Sequence, residues 1–263
     1  MPITPESIRL THRLAVVTGA ARGIGEAIAT AFARFGADVA ICDRDADGLA
    51  ATAKHVEAAG RRAYPAILDV RDGDAVREWI AALDRVDTLV NNAGGGFHAD
   101  FLDVNDRGQD ALIRENFTSV THLIRACVPK MPADGHASII NITSIEAHRA
   151  APGFAVYSAM KAALANLTQT LALELGDRSI RVNCIAPDVI PTPGIGDVPV
   201  RTPLPRSGHV DDIAGAAIYL ASDWARFITG TTIHVDGGNL AAGGWTRGPG
   251  NEWTTSAESP TTG

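Results

Sequence analysis

Cysteine is scarce in this chain, with three in 263 residues. Cys42, Cys127 and Cys184 lie far apart inside apolar segments, without C-x-x-C spacing. That argues against a disulfide framework or a redox pair and predicts reduced, buried thiols. A basic excess is lacking too. Lys and Arg number 23 against 30 Asp and Glu, a formal net charge of -7, so no surplus exists to neutralise phosphates and nucleic-acid binding is not expected. No apolar run is long enough to span a bilayer, and Met1 to Arg13 has no apolar core of the signal-peptide kind. A cytoplasmic location fits these absences. The eight histidines show no metal-like spacing, so no metal site is expected. No linker rich in Pro, Gly or Ser divides the chain, which predicts one domain.

What is present is alternation. Short apolar runs that read as strands, Leu14–Thr18, Asp38–Cys42, Ala63–Leu68, Thr88–Asn91, Ser138–Thr143, Ile180–Ile185 and Thr231–Val235, are separated by Ala-rich helical stretches. The helices are expected over Gly25–Phe35, Ala46–Ala59, Asp74–Leu83, Gln109–Met131, Phe154–Gly176 and Val210–Ser222. Strand and helix in turn mean βαβ units and a parallel sheet. The runs AVV, LVN, SIINI and RVNCI lack polar alternation, as strands covered on both faces do. The fold class expected is α/β, a single-domain, Rossmann-like, doubly wound parallel sheet with helices on both faces. It spans 14–240, with an N-terminal extension over 1–13 and a tail over 241–263. The end of that tail, Thr254–Gly263, is rich in Ser, Thr and Gly and is expected to be mobile.

The first strand runs into Thr18-Gly19-Ala20-Ala21-Arg22-Gly23-Ile24-Gly25, and a helix follows at once. Glycines there let the backbone turn sharply and let a pyrophosphate reach the free N–H groups of the helix start. Asp43 closes the second strand. A carboxylate at that place accepts hydrogen bonds from adenosine ribose hydroxyls and repels a 2′-phosphate, which favours NAD over NADP. Arg44 follows directly and leaves NADP open as the alternative. Tyr157 and Lys161, four apart on a helix, share one face. A nearby ammonium and an oxidised nicotinamide are expected to lower the tyrosine pKa from its usual ~10 and make it a general base.

With these residues the chain resembles the short-chain dehydrogenase/reductase family, over about Leu14 to Gly238. The markers follow in order: TGAARGIG at 18–25, Asp69-Val70, Asn91-Asn92-Ala93-Gly94, Asn116, Ser144, and Tyr157 with Lys161. The resemblance implies hydride transfer between a nicotinamide cofactor and an alcohol or carbonyl, with Asn116, Ser144, Tyr157 and Lys161 catalytic. It implies that Ser144 holds the substrate oxygen and that Asn116 supports a water relaying protons to Lys161. It sets Lys161 also against the nicotinamide ribose, Asp69 and Val70 at the adenine, and Asn91, Ala93 and Gly94 beneath the adenosine ribose. Gly19, Gly23, Ile24 and Gly25 fall at the phosphates, and Arg22 falls beside the phosphates or the ribose or stays solvated. Pro187, Ile190 and Thr192 fall at the nicotinamide carboxamide. Asp188 stands where the family usually has glycine, which leaves the shape of that loop open.

The helix Phe154–Gly176 is apolar nearly all round, and a second apolar face calls for cover by another subunit. The family often forms dimers and tetramers through this helix, and a homotetramer is expected. Glu146, His148, Arg149, Gly95, Gly96 and Phe97 flank the expected site without specifying the substrate. A sterol-like or alicyclic alcohol and a 3-oxoacyl thioester reduced by NADPH both remain candidates, and a non-catalytic dinucleotide-binding protein is the rival of another class. Trp245 and Trp253 lie beyond the last strand among Gly243, Gly244, Gly248 and Gly250, so Ala241–Trp253 is expected to bend back and help enclose the substrate.

Overall fold

The computed structural model describes residues 2–192, 195, 200, 202–247 and 252–255. Pro193 of the loop after the sixth strand, and Gly248, Gly250 and residues 256–263 of the tail, lie outside the described residues. Seven strands form one parallel sheet: β1 (Leu14–Thr18), β2 (Asp38–Asp43), β3 (Ala63–Ile67), β4 (Thr88–Asn91), β5 (Ser138–Ile142), β6 (Arg181–Pro187) and β7 (Thr232–Val235). Their order is β3-β2-β1-β4-β5-β6-β7. The chain therefore starts in the middle, winds outward through β2 and β3, then returns to β4 and winds the other way. That reversal leaves a crevice outside the carboxyl ends of β1 and β4, where ligands of open α/β sheets bind.

The helices are α1 (Gly23–Arg34), α2 (Ala46–Ala58), α3 (Gly73–Ala81), α4 (Asp106–Ile113), α5 (Ser119–Cys127), α6 (Ala155–Glu174), α7 (Val210–Ala221) and the short α8 (Asn239–Ala242). They divide between two apolar cores, one on each face of the sheet. Ile28 and Phe32 of α1, Leu49 and Val56 of α2, and Ile213 and Ala217 of α7 pack on one face with Ala15, Val17, Val39, Ile41, Ile140 and Ile185. Val76 and Ile80 of α3, Leu123 of α5 and Leu164 of α6 pack on the other with Val16, Ala40, Cys42, Ile139 and Val182. Successive strand residues point to opposite faces, so a strand buried on both sides must be apolar throughout. The three cysteines are free and buried, and burial pushes the Cys127 thiol up to about 12.

Element ends differ from the sequence expectation by a residue or two in most places. One difference is larger. The single helix expected over Gln109–Met131 is α4, a π-helical turn at Arg114–Thr118, α5 and a 3-10 turn at Val128–Lys130. The reason lies at Asn116, described below. Beyond the main sheet the tail adds β8 (Thr246–Arg247), paired antiparallel with β9 (Trp253–Thr254), which periodicity over so short a stretch cannot announce. Among the described residues no helix is long and apolar enough to cross a membrane.

Candidate active site

The glycine-rich turn is built by steric need. Gly19 and Gly23 have φ of 64° and 63°, the left-handed region that glycine enters without cost. A Cβ on Gly25 would collide with the Gly19 carbonyl oxygen. The helix α1 then opens on Arg22, whose side chain does not cap it. The first N–H groups of a helix twelve residues long are thus left for an anion.

Two residues that sequence reasoning left unassigned hold this turn in place. Thr18 Oγ1 accepts from the backbone N–H groups of Asn92 and Ala93, both at 3.0 Å. Asn92 Nδ2 donates to the carbonyl oxygens of Thr18 and Gly19, at 2.9 and 3.1 Å. The loop after β4 is thereby latched onto the turn after β1, so closely that a Cβ on Gly19 would lie 2.9 Å from Ala93 Cα. The signal was their position: Thr18 ends β1 and Asn92 directly follows β4, on either side of the reversal. Asn91 stays inside, donating from Nδ2 to Asn141 Oδ1 at 2.7 Å, while its own Oδ1 is buried without a hydrogen-bond partner.

On the adenosine side, Asp43 Oδ2 accepts from Ala21 N at 3.1 Å and its Oδ1 from Arg44 N and Asp45 N at 2.7 and 3.1 Å. The carboxylate therefore sits against the glycine-rich turn. Arg22 lies 3.5 Å from Asp45. The Arg44 guanidinium hangs between Asp69 at 3.9 Å and Glu115 at 4.0 Å. Asp69 is gripped by Arg71 through three side-chain bonds of 2.5 to 3.0 Å, which hold its carboxyl below the usual range. Val70 beside it is buried.

Ser144, Tyr157 and Lys161 meet at the carboxyl ends of β4, β5 and β6. Ser144 follows β5 and caps a 3-10 turn, its Oγ accepting from Glu146 N at 3.2 Å. Lys161, Leu164, Thr168 and Ala172 form the buried stripe of α6, so the lysine is drawn inside as part of the packing face. Lys161 Nζ lies 5.6 Å from the centre of the Tyr157 ring and donates to the Ile142 carbonyl at 3.0 Å. Burial pushes it down to about 8. Tyr157 departs from expectation: its phenol is raised rather than lowered. Loss of solvent is the largest cause, the Ser144 hydroxyl opposes it and the Glu146 carboxylate adds to it. In the protein alone, then, desolvation outweighs the Ser144 hydrogen bond.

Asn116 is fully buried in the π turn. Its Nδ2 donates to Gly95 O at 2.8 Å and to Leu112 O at 3.0 Å, and its Oδ1 accepts from Gly95 N at 3.2 Å. The amide breaks the regular helix and pins the loop after β4. Single-turn π insertions of this kind are frequent at functional sites. Gly94 in that loop has no room for a side chain, since a Cβ would lie 2.8 Å from Asn116 Oδ1 and 3.1 Å from Lys161 Nζ. Gly96 is equally tight against the Tyr157 ring, at 3.0 Å.

Pro187 ends β6, opposite Val235 of β7. Thr192 comes back over the glycine-rich turn, where a Cβ on Gly23 would lie 3.2 Å from its Cγ2. The side chain of Ile190 packs into the core beside Gly208. Asp188 needs no glycine-like conformation: His12 and Ser179 are the non-glycine residues of positive φ among those described. Its Oδ2 instead accepts from Asn239 Nδ2 at 2.7 Å. The tail hairpin keeps Trp245 and Trp253 about half exposed, with the Arg247 guanidinium 4.5 Å over the Trp253 ring.

A glycine-lined turn at an uncapped helix start, faced by a Tyr-Lys pair and a serine hydroxyl, fits a nicotinamide dinucleotide. Residues 19–239 match a family model described as enoyl-(acyl carrier protein) reductase. The chain belongs to the short-chain dehydrogenase/reductase family. Members of this family are oxidoreductases of CH–OH and carbonyl groups that use such a dinucleotide, and this chain is one of them. It is 40% identical to an uncharacterized oxidoreductase of Mycobacterium tuberculosis, over 89% of this chain and 94% of that one. It is 35% identical to the 3-oxoacyl-[acyl-carrier-protein] reductase of Thermotoga maritima, over 88% and 99%. Among solved short-chain dehydrogenases/reductases it superposes with a TM-score of 0.85 on a 7α-hydroxysteroid dehydrogenase complexed with NADH and 7-oxo glycochenodeoxycholic acid, at 32% identity over 90% and 98%.

Proposed function

We propose that this enzyme transfers a hydride between NAD(H) and a secondary alcohol or ketone, with Ser144, Tyr157, Lys161 and Asn116 as its working group. The observation that carries the reading is the meeting of the Tyr157 phenol and Ser144 hydroxyl above a buried Lys161. The nicotinamide, when bound, takes or gives the hydride and in its oxidised form adds a positive charge beside the phenol. Ser144 donates to the substrate oxygen and stabilises charge on it. Tyr157 Oη takes the hydroxyl proton in oxidation and returns one in reduction. Lys161 holds the proton that makes the phenolate accessible and reaches the nicotinamide ribose. Asn116, through its π turn and its grip on Gly95, sets the loop beneath and supports a water that relays protons to Lys161.

Gly19, Gly23, Ile24 and Gly25 would carry the pyrophosphate, with Arg22 at its edge. Asp69 and Val70 would meet the adenine; Asn91, Ala93 and Gly94 the ribose; Pro187, Ile190 and Thr192 the carboxamide. NAD is favoured over NADP because Asp43 stands at the turn where a 2′-phosphate would come, and because Arg22 and Arg44 are engaged by carboxylates. The steroid dehydrogenase neighbour supports a sterol-like or alicyclic substrate. A second reading, reduction of a 3-oxoacyl thioester with NADPH, is favoured by the Thermotoga maritima relative. The same proposal includes a cytoplasmic homotetramer, since α6 leaves Leu173 83% exposed on its outer side and such a face calls for a partner.

The test is a panel of alcohols and ketones with NAD(H) and NADP(H), followed at the nicotinamide absorbance. Tyr157→Phe removes the transferable proton and keeps the ring, so turnover should disappear while the nucleotide still binds. Near-normal turnover by that variant on a verified substrate would overturn the reading.

A further inference from the structure

A short polar chain crosses the apolar core behind the reacting groups, and hydride transfer does not itself use it. Asn91 of β4, Asn141 of β5 and Cys184 of β6 are neighbours in strand register. Asn91 Nδ2 donates to Asn141 Oδ1 at 2.7 Å, Asn141 Nδ2 to Thr168 Oγ1 of α6 at 2.8 Å, and Cys184 Sγ to the same Oγ1 at 3.1 Å. Thr168 donates its own proton to the Leu164 carbonyl at 3.0 Å. A hydroxyl has one donor and two acceptor positions, so that of Thr168 is fully used. Asn91, Asn141, Thr168 and Cys184 are all buried, and the core around them is Leu123, Ile139, Leu164 and Val182.

Apolar contact is non-directional, whereas a hydrogen bond weakens steeply as it bends. The place of α6 along the sheet is therefore specified most sharply by the side chains that bond across. Among the described residues these are Thr168, through Asn141 and Cys184, and Lys161, through the Ile142 carbonyl. Lys161 and Thr168 lie two turns apart on the buried stripe of the helix, and their partners Asn141 and Ile142 are consecutive in β5. Ser144 follows that strand, just beyond Thr143, whose backbone N–H and hydroxyl both donate to the Ile185 carbonyl of β6. The working group is thus divided between two bodies. Ser144 belongs to the ends of β5 and β6; Tyr157 and Lys161 belong to α6. Lysine reaches through a flexible four-carbon stem, while threonine is β-branched and stiff at χ1. The rigid join between the two bodies is Thr168.

We propose that Thr168 is a positioning residue for hydride transfer: its hydroxyl, shared by Asn141 and Cys184, sets α6 against the ends of β5 and β6 and so sets the Tyr157 phenol against the Ser144 hydroxyl. This rests on the dehydrogenase reading above. The residue lies about 16 Å along the helix from Tyr157, so it acts on the phenol through the helix and not by contact. A misplacement of about 1 Å at the reacting groups can cost about a hundredfold in rate, which is why a join this far away matters.

The experiment measures kcat on the best alcohol of the panel, the Kd of NAD by calorimetry, and Tm, in the parent, Thr168→Val, Thr168→Ser and Cys184→Ala. Thr168→Val keeps the shape and removes the hydroxyl; Thr168→Ser keeps the hydroxyl and removes a methyl. Both should lower Tm. In Thr168→Val kcat should fall at least about tenfold while Kd changes less than about threefold, since the turn after β1 is the main hold on the dinucleotide. Thr168→Ser should keep kcat within about threefold of the parent. Cys184→Ala removes one bond to the hydroxyl and leaves Asn141 paired; it should lower kcat severalfold, and it decides the matter should Thr168→Val fail to fold. An unchanged kcat in a folded Thr168→Val, or in Cys184→Ala where Thr168→Val does not fold, overturns the proposal. So does a kcat in Thr168→Ser as low as in Thr168→Val, because packing and not the hydroxyl would then be at work. A Kd that weakens in step with kcat would mean general loosening and overturns it too. Each of these outcomes leaves the dehydrogenase reading standing while the parent turns over. A parent with no turnover of any alcohol or ketone, with NAD or NADP, overturns both.

Discussion

The two groups at the centre of the site are displaced in opposite senses, and that sets the pH dependence. Burial pushes Lys161 down to about 8, and its bonded partner is a neutral carbonyl, Ile142 O. Tyr157 is raised, first by burial. The pair together gives up its first proton with an apparent pKa near 8, which belongs to the pair and to neither group alone. Oxidation of an alcohol needs the pair one proton short; reduction of a ketone needs both protons. Accordingly kcat/KM for oxidation should climb about tenfold per pH unit, roughly a hundredfold over two units below the midpoint. For reduction it should be level below about 8 and fall above it. Oxidised nicotinamide adds positive charge, so the oxidation midpoint should lie at or below the reduction midpoint. Two nearby groups are displaced out of this window. His148 is held below its usual value by burial and by His234, and Cys184 is pushed up to about 11. The assay is a pair of pH profiles, oxidation and reduction, on the parent and on Lys161→Met. The variant should lose the limb and become active only at much higher pH. A flat oxidation profile from about pH 6 to 9, or a midpoint unmoved in Lys161→Met, would refute the reasoning.

Asp43→Ala should narrow the preference for NAD over NADP, and equal binding of the two by calorimetry in the parent would count against Asp43 as selector. The same variant frees three backbone N–H groups, so its Tm should fall, each such bond being worth about 1.5–3 kcal/mol where fully buried and less at this half-exposed edge. Gly94→Ala puts a methyl against Asn116 and Lys161, and kcat should drop at least tenfold from misplacement of those groups; an unaffected kcat would mean the loop yields freely. Truncation after Leu240 removes β8, β9 and both half-exposed tryptophans; if the tail encloses substrate, kcat/KM falls, and if oligomeric state and kcat/KM are both kept, the tail is no lid.

The sheet was legible because its cause is local. Val16, Val17, Ala40 and Ile41 are all buried, and strands buried on both faces must read as continuous apolar runs. The site was legible as a set of residue types at spacings, since Tyr157 and Lys161 need only one helix to share a face. What spacing cannot carry is environment. The direction of the Tyr157 shift depends on how deeply the phenol is buried and on Glu146, neither of which is encoded near it in the chain. The grip of Arg149 on Glu146 joins neighbours, but its link to Asp188 spans two loops separated by a whole βαβ unit. Asp188 could be read from the sequence only as a glycine missing; the tertiary partner Asn239 supplies the reason.

Asn116 makes the same point from the other side. Asparagine forms helices indifferently because its amide competes for backbone groups, and Asn116 falls within the long helix expected over Gln109–Met131. In the folded chain that competition is used. Nδ2 takes the Leu112 carbonyl, which a regular helix would give to a backbone N–H, and also takes Gly95 O. The helix answers with a π turn over Arg114–Thr118. The turn adjusts the register between its two halves, so that α5 can bury Val120, Leu123, Ile124 and Cys127 while the amide stays aimed at the loop after β4. An Ala at 116 would remove the bonds to Leu112 and Gly95. A local propensity that is unfavourable by itself is thus what joins the helix to the floor of the site, and the same loop carries Gly94 under Lys161 and Gly96 against Tyr157. The lysine, the phenol and the turn after β1 are held in register through that one amide, the Thr18 hydroxyl and the side chain of Asn92.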